Sequence, residues 1–202
     1  LFKVYLEEDI QAVLCLNDVP QEYVDKLHAA GKKCIQKDIF ATVASFKKAE
    51  EMGYDAVVIA GVDCGGHSNT KDIGTITAIR MAREATDLPL IASGGIIDGL
   101  TVQIAGMLGA EGVYVGTRFV ASKESPVAQI TKDKMVELTT DDLMQVEGIF
   151  GPIMSLPTPS IRKAHELMEE SHGKNAMKSP TPMAEAIAPA CSWATLKTVC
   201  WM

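Results

Sequence analysis

The chain alternates short apolar runs with amphipathic segments over roughly its first 120 residues, as chains built of β-α units do. The apolar runs are continuous, which is typical of strands that helices cover on both faces of a parallel sheet. The pattern therefore predicts an α/β fold with parallel strands and outer helices. The predicted strands are Ala12–Leu16, Lys33–Gln36, Ala56–Ala60, Leu90–Ser93 and Val113–Val115.

Start and stop signals delimit the helices between these strands. The first helix opens at Pro20 and ends at Gly31, and the second ends at Gly53. Asp98 is a good N-cap for the fourth helix, which ends at Gly109. In the third helix the apolar stripe predicted to face the sheet is Ile73, Ile76, Ile79 and Ala82.

The alternation stops after Ser125. Helices are predicted over Ser125–Glu137 and Ile161–Ser171, with an irregular Gly- and Pro-rich connection at Gly148–Pro159 between them. No periodicity is present after Gly173. The sequence thus predicts three parts: a partial (β/α) barrel over residues 1–125, a helical part over 126–172 and an irregular tail over 173–202.

Composition narrows the class of protein. The 202 residues are 47% hydrophobic and 22% charged, as in a soluble globular domain. The net charge of -7 and the absence of a Lys/Arg cluster argue against a nucleic-acid partner. No apolar run approaches the roughly 20 residues of a membrane helix. Five scattered cysteines without a CxxC motif argue against a disulfide framework or a zinc site, so we predict no metal and a reducing cytoplasm.

Two architectures fit the strand pattern. Right-handed crossovers between parallel strands produce either a doubly wound sheet or a (β/α)8 TIM-type barrel. The predicted strands are fewer than a complete barrel needs, and the chain begins at Leu1 rather than Met. We therefore expect either an open sheet or an incomplete barrel that lacks its first strands. Unpaired edges of such a half-barrel are a route to association between copies.

Glycine-containing loops follow three of the strands, where α/β folds place their ligands. The loop Gly61–His67 places His67 after a Gly-Gly pair, and histidine, with an ordinary pKa of about 6.5, suits proton abstraction. A solvated histidine beside a tight turn is the alternative. The loops at Ser93–Gly95 and Val115–Thr117 present backbone N–H groups and hydroxyls that suit a phosphate, or else need glycine for geometry alone.

Three segments together resemble a known family: AGVDCGGH, LPLIASGGIIDG and LGAEGVYVGTRFVASKES. Their combined spacing is similar to that of the nitronate monooxygenases, formerly 2-nitropropane dioxygenases. The resemblance implies an FMN-dependent TIM barrel that oxidises alkyl nitronates with O2. The same group includes NAD(P)H:quinone reductases and FMN-dependent enoyl-acyl-carrier-protein reductases. The implied partners are accordingly a small nitronate, quinone or enoyl thioester, with NAD(P)H as an electron donor in the reductases.

The resemblance also assigns residues. It implies that His67 transfers a proton beside the flavin and that Gly65 or Gly66 contacts FMN. The residues that it implies for the FMN phosphate are Ser93, Gly94, Gly95, Val115, Gly116 and Thr117.

The sequence departs from the family pattern in three places. Ala60-Gly61 stands where members often have Gln-Gly, and the stretch Ser68–Ile73 replaces the Arg-Gly or Pro-Gly that often follows the histidine. Residues 1–11 contain no counterpart of the glycine and Met/Pro loops that cover the flavin ring. These departures keep two alternatives open: a non-catalytic phosphate-binding module or inactive fragment, and a barrel for another phosphorylated ligand.

Overall fold

The computed structural model describes residues 2–16, 18–148 and 151–172, with the side chains of residues 171 and 172 excepted, so the predicted tail at 173–202 lies outside the described residues. In chain order the elements are α1 (Phe2–Glu7), β1 (Ala12–Leu16), α2 (Gln21–Ala29), β2 (Lys33–Asp38), α3 (Val43–Glu51), β3 (Ala56–Ala60), β4 (Gly66–His67), α4 (Thr75–Ala85), β5 (Leu90–Ser93), α5 (Gly99–Met107), β6 (Gly112–Tyr114), α6 (Thr117–Val120), α7 (Gln129–Glu137), β7 (Met144–Gly148), β8 (Gly151–Ser155) and α8 (Pro159–His172).

These elements form two compact units. The first comprises Leu1–Cys64 and Ser68–Val115, and the second comprises Gly65–His67 and Gly116–Met202. The first unit contains a five-stranded parallel sheet, and the second contains a three-stranded antiparallel sheet.

Strand order in the first unit decides between the two predicted architectures. The order is β1-β2-β3-β5-β6, so each strand lies beside its predecessor in that sheet. A doubly wound sheet reverses its strand order at a switch point, whereas a (β/α)8 barrel adds strands consecutively. The unit is therefore an arc of TIM-barrel type, which confirms the predicted parallel α/β class and excludes the doubly wound alternative.

The core of this arc lies between the sheet and its helices. On β1 the burial alternates, with Val13 and Cys15 buried and their neighbours exposed, so helices cover one face of this strand. Phe46 of α3 is fully buried, and burying such a side chain contributes about 1.5–3 kcal/mol. The central strand β3 is buried at every position, as its continuous apolar run predicts.

The predicted strands are confirmed with small shifts at three ends. Three strands have the predicted bounds, β2 extends to Asp38, and β6 starts and ends one residue earlier than predicted, at Gly112 and Tyr114. Asp98 caps α5 as predicted: its side chain accepts a hydrogen bond from the backbone N–H of Thr101.

The predicted apolar face of α4 is wrong at two positions. Ile73 precedes the helix, and Ile76 is 61% exposed. The buried stripe is Thr75, Ala78, Ile79 and Ala82. Its i, i+3, i+4, i+7 spacing is correct for a helix, but its members are mostly small, so a search for large apolar residues misplaces it.

A β-hairpin replaces the irregular connection predicted at Gly148–Pro159. Strands β7 and β8 pair in antiparallel fashion, with Gly148 opposite Gly151, and Val146 is fully buried. β4 pairs with β8 at Ile153 and Met154, and Pro152, the residue before them, lies opposite Glu147 of β7.

A buried lysine explains why α7 starts later than predicted. The predicted helix begins at Ser125, but α7 begins at Gln129. The ammonium group of Lys132 donates to the carbonyl oxygens of Ser122 and Ser125 at 2.7 and 2.8 Å. These bonds hold residues 122–125 in a turn, since a buried ammonium needs acceptors. The last predicted helix, Ile161–Ser171, is confirmed within α8.

No helix in the described ranges combines the length and the apolar character that crossing a bilayer requires.

Asp55 joins three elements at the amino-terminal end of the sheet. Its carboxylate accepts hydrogen bonds from the backbone N–H of Cys34 at 2.8 Å and from the ammonium of Lys33 at 2.6 Å. The ring Nε2 of His28, on α2, lies 2.9 Å away. Partial burial opposes ionisation, but these bonds outweigh it and hold the pKa of Asp55 below its ordinary value.

Replacing Asp55 with Asn should therefore make stability less dependent on acid pH. Folding lowers the pKa of Asp55. Its contribution to the free energy of unfolding is therefore present above pH 3.8, the ordinary pKa of aspartate, and is lost as the pH falls below that value. We expect Asp55→Asn to lower the free energy of unfolding by about 1 kcal/mol or more at pH 7 and by much less at pH 3. Urea titrations at both pH values measure this.

The matched control for this prediction is Asp87→Asn, because the side chain of Asp87 is fully exposed. Parallel loss of stability in wild type and Asp55→Asn down to pH 3 would contradict the prediction.

Alanine should have opposite effects at two glycines. A Cβ at Gly106, in α5, meets nothing within 4 Å, and the better helix propensity of alanine should add about 0.5 kcal/mol. A Cβ at Gly61 would clash with Thr75 Oγ1, so Gly61→Ala should lower the free energy of unfolding by several times the amount that Gly106→Ala raises it. Urea unfolding midpoints, compared at an unchanged m-value, measure both effects. An unchanged midpoint for Gly61→Ala would contradict the prediction and show that the backbone moves to accommodate the Cβ.

Candidate functional site

Two loops of the first unit leave the sheet side by side. Ala60 at the end of β3 pairs with Ser93 at the end of β5, and the strands are parallel. The segments that follow, Gly61–Cys64 and Gly94–Ile96, therefore start at the same edge of the sheet. This is the carboxyl-terminal edge, where barrels and other α/β folds bind their ligands.

The two loops approach too closely to admit side chains at their glycines. A Cβ on Gly94 would lie 2.9 Å from both the backbone nitrogen and the sulfur of Cys64, and 2.8 Å from Thr75 Oγ1. Gly94 also has a φ of +102°, which disfavours any residue with a Cβ. The turn therefore needs glycine at position 94 for its geometry, as the alternative in the sequence analysis proposed. Without a side chain there, the loop backbone is also accessible to a ligand.

The loop after β5 presents unpaired backbone donors. Among the described residues, none accepts a hydrogen bond from the N–H groups of Gly94, Gly95 or Ile96. The next two N–H groups, of Ile97 and Asp98, donate to Thr101 Oγ1 at 3.0 Å each. The donors for an anion therefore belong to the loop itself rather than to the start of α5, which Asp98 and Thr101 cap.

The Ser93 hydroxyl has a protein partner. It is only 5% exposed, and its oxygen lies 3.4 Å from the sulfur of Cys64. Burial raises the pKa of the Cys64 thiol, so this thiol stays protonated near neutral pH. Ser93 therefore faces the neighbouring loop, and an anion would have to compete with Cys64 for its hydroxyl.

Asn69 holds the segment that continues from His67. It is fully buried, and its amide nitrogen donates to the carbonyl oxygens of Phe40 and Ala60 at 3.1 and 3.4 Å. Its amide oxygen accepts from the backbone N–H groups of Lys71 and Ile73 at 2.7 and 3.4 Å. One side chain thus ties the segment after His67 to the ends of β2 and β3. Replacing the amide would leave buried backbone groups unpaired.

Lys37 is a functional candidate that the sequence analysis does not single out. It lies near the carboxyl end of β2, on the face opposite the buried Gln36 and Asp38. Its ammonium lies 4.6 Å from the centre of the Tyr114 ring on β6, across the sheet. A positive charge on this face, near the strand ends, favours an anionic ligand. The sequence KCIQKD alone does not distinguish Lys37 from an ordinary polar residue at a strand end. The position of Lys37 opposite Tyr114 follows only from the arrangement of the strands.

In the second unit, strand pairing and close packing organise the other predicted residues. His67 lies opposite Ile153 in the β4–β8 pair, and Gly66 lies opposite Met154. A Cβ on Gly65 would lie 3.0 Å from Thr117 Oγ1, so the structure brings these two predicted residues together. Gly116 is the N-cap of the short helix α6.

The predicted site residues divide between the two units. Those in the first unit are Ser93, Gly94, Gly95 and Val115, and those in the second are Gly65, Gly66, His67, Gly116 and Thr117. The described residues contain no group of three or more His, Cys, Asp or Glu side chains placed to hold a metal ion.

Solved structures share this fold. FabK from Thermotoga maritima is 31% identical with a TM-score of 0.78, and the match covers 98% of this chain and 61% of that one. A nitroalkane oxidase from Streptomyces ansochromogenes is 25% identical with a TM-score of 0.72, covering 94% and 57% of the two chains. Both matches cover more than nine-tenths of this chain.

Sequence comparison agrees with the structural one. A probable nitronate monooxygenase of Staphylococcus aureus (strain Newman) is 30% identical over an alignment of 168 residues, and the match covers 75% of this chain and 46% of the relative. The chain thus spans about half the length of the curated relatives that it matches. The family model for nitronate monooxygenase matches residues 2–193. The chain therefore belongs to the nitronate monooxygenase family.

Proposed function

We propose that this chain forms the phosphate-binding half of an FMN-dependent oxidoreductase that oxidises alkyl nitronates with O2. The observation that carries the proposal is the loop after β5, whose three N–H groups have no acceptor among the described residues. Three adjacent N–H groups suit a phosphate because they offer partial positive charge without a competing side chain. Family membership supplies the flavin as the phosphate-bearing ligand.

The residues present fit this cofactor at its phosphate. Gly94 and Gly95 leave room where a Cβ would intrude on a ligand or on the neighbouring loop. In the second unit Gly65 packs against Thr117, and the family resemblance implies Gly116 and Thr117 as further phosphate contacts. Ser93 contributes less than the resemblance implies, because its hydroxyl faces Cys64. Bound FMN would supply the electron transfer, while the protein binds, orients and protonates.

His67 is proposed as the general base. In this role its ring takes the proton from the carbon that bears the nitro group, and an imidazole suits this task near neutral pH. Its backbone is held by antiparallel pairing with Ile153. Holding the backbone reduces the entropy lost when the ring is positioned against a substrate.

Lys37 is proposed to balance negative charge on the cofactor. It lies on the face of β2 opposite the buried Gln36, and its ammonium lies over the Tyr114 ring. The negative face of an aromatic ring attracts a cation electrostatically. At this position the Lys37 ammonium stabilises the more negatively charged forms of the bound cofactor.

A phosphate-binding module without redox activity is the second candidate. Ala60, which stands where relatives often have glutamine, is fully buried and offers no side-chain hydrogen bond. Calorimetry separates the candidates on the full-length gene product. A Kd for FMN at least tenfold lower than the Kd for inorganic phosphate supports the flavoenzyme. Equal Kd values support the phosphate-binding module. Oxygen uptake with a nitronate, against NAD(P)H oxidation with a quinone or an enoyl thioester, then identifies the reaction.

Replacing His67 should separate cofactor binding from catalysis. We expect His67→Gln to reduce kcat with a neutral nitroalkane by about 100-fold or more, since the general base is lost. With a preformed nitronate, which has already lost the proton, the loss should be much smaller. FMN absorbance should be unchanged.

His165→Gln, on α8, is the matched control and should leave both activities unchanged. An equal loss with nitroalkane and nitronate would exclude His67 as the base.

Replacing Lys37 should weaken binding of the negatively charged cofactor. We expect Lys37→Met to raise the Kd for FMN by about tenfold, which corresponds to about 1.4 kcal/mol. Lys47→Met removes the same charge from an exposed position on α3 and should leave the Kd unchanged. Repeating the titration with riboflavin, which lacks the phosphate, locates the charge that Lys37 balances. Identical Kd values in both variants would remove Lys37 from the site.

A further inference from the structure

Two cysteines face each other in the core of the first unit. Cys15 of β1 and Cys34 of β2 have their sulfur atoms 3.5 Å apart. Both belong to the apolar cluster between the sheet and its helices. They therefore lie on the opposite face of the sheet from Lys37, and the proposed flavin chemistry gives them no role.

We propose that Cys15 and Cys34 form a reversible dithiol–disulfide site that a peroxide oxidises. The Cys15 thiolate attacks one oxygen of hydrogen peroxide, which breaks the O–O bond and yields a sulfenic acid and hydroxide. The Cys34 sulfur then attacks the sulfenic sulfur, loses its proton and releases water. In sum, two thiols and one peroxide become one disulfide and two water molecules.

The two thiols are unequal in a way that suits these steps. Cys15 is 9% exposed, whereas Cys34 is completely buried. The hydrogen bond between them lowers the pKa of Cys15 and raises that of Cys34. Cys15 is therefore the thiol that a small oxidant reaches and that ionises more readily, and Cys34 is placed to resolve the sulfenic acid.

The strand register predicts that the disulfide is strained. Cys34 pairs with Val13, and Cys15 pairs with Gln36, so the two cysteines are offset along the strands. A disulfide brings the sulfur atoms to about 2.05 Å, and closing the gap across this offset distorts the two strands. A strained disulfide is readily reduced, which makes the site reversible by thiols such as glutathione.

Peptide mapping of the full-length protein tests the proposal without any substitution. The reduced protein is treated with hydrogen peroxide, blocked with N-ethylmaleimide and digested with trypsin without reduction. Cleavage at lysines places the five cysteines of this chain on separate peptides. We expect the peptides of Cys15 and Cys34 to be linked, and brief treatment with reduced glutathione to separate them. Linkage that glutathione does not reverse would overturn the reversible site.

Variants supply the controls. Cys64→Ala should leave the linked peptides unchanged, because Cys64 contacts Ser93 rather than either thiol. Cys34→Ala should abolish the link and leave Cys15 oxidised to sulfenic or sulfinic acid, and circular dichroism checks that this variant folds. The proposal is overturned if both cysteines of the folded wild type remain as blocked thiols. It is equally overturned if either cysteine links mainly to another, as random pairing in urea would produce.

Discussion

The close approach of two loops at the ends of β3 and β5 is the constraint on which the candidate site depends. Parallel pairing of Ala60 with Ser93 delivers both loops to one edge of the sheet. They fit side by side only because Gly61 and Gly94 have no Cβ where Thr75 and Cys64 already stand. The same lack of side chains leaves the N–H groups after β5 available to a ligand. The packing of the loops and the proposed binding of a phosphate thus depend on the same steric requirement.

Buried polar groups hold the rest of the edge in place. Asn69 uses all of its amide hydrogen-bonding capacity on backbone groups of three segments. Asp38 accepts from the N–H of Phe40 and from the hydroxyl of Ser45, although burial raises its pKa. Burying these two groups has a cost that their hydrogen bonds offset, so the loops are specified by satisfied polar contacts as well as by glycine. The exposed Asp63 also accepts a hydrogen bond, at 2.8 Å, from the first N–H of α4.

Sequence patterns located the parallel strands well and the packing faces less well. Continuous apolar runs located the strands but not their covered faces: β3 is buried at every position, whereas β1, an equally apolar run, is buried only at alternate positions. The stripe of α4 was misplaced because the small side chains of Thr75 and Ala78 carry little hydrophobic signal. The β7–β8 hairpin was missed because its glycines and Pro152 resemble loop residues when the pairing partners are unknown.

The sequence by itself determined the family, the parallel α/β class and the glycine loops, because these depend on local composition and on the spacing of motifs. The tertiary structure decided what each loop residue does. It directed the Ser93 hydroxyl toward Cys64, placed the Lys37 ammonium over Tyr114 and brought the sulfur atoms of Cys15 and Cys34 within 3.5 Å. Such contacts join residues that are distant in the chain. They follow from strand register and crossover path, which a linear pattern of polar and apolar residues does not encode.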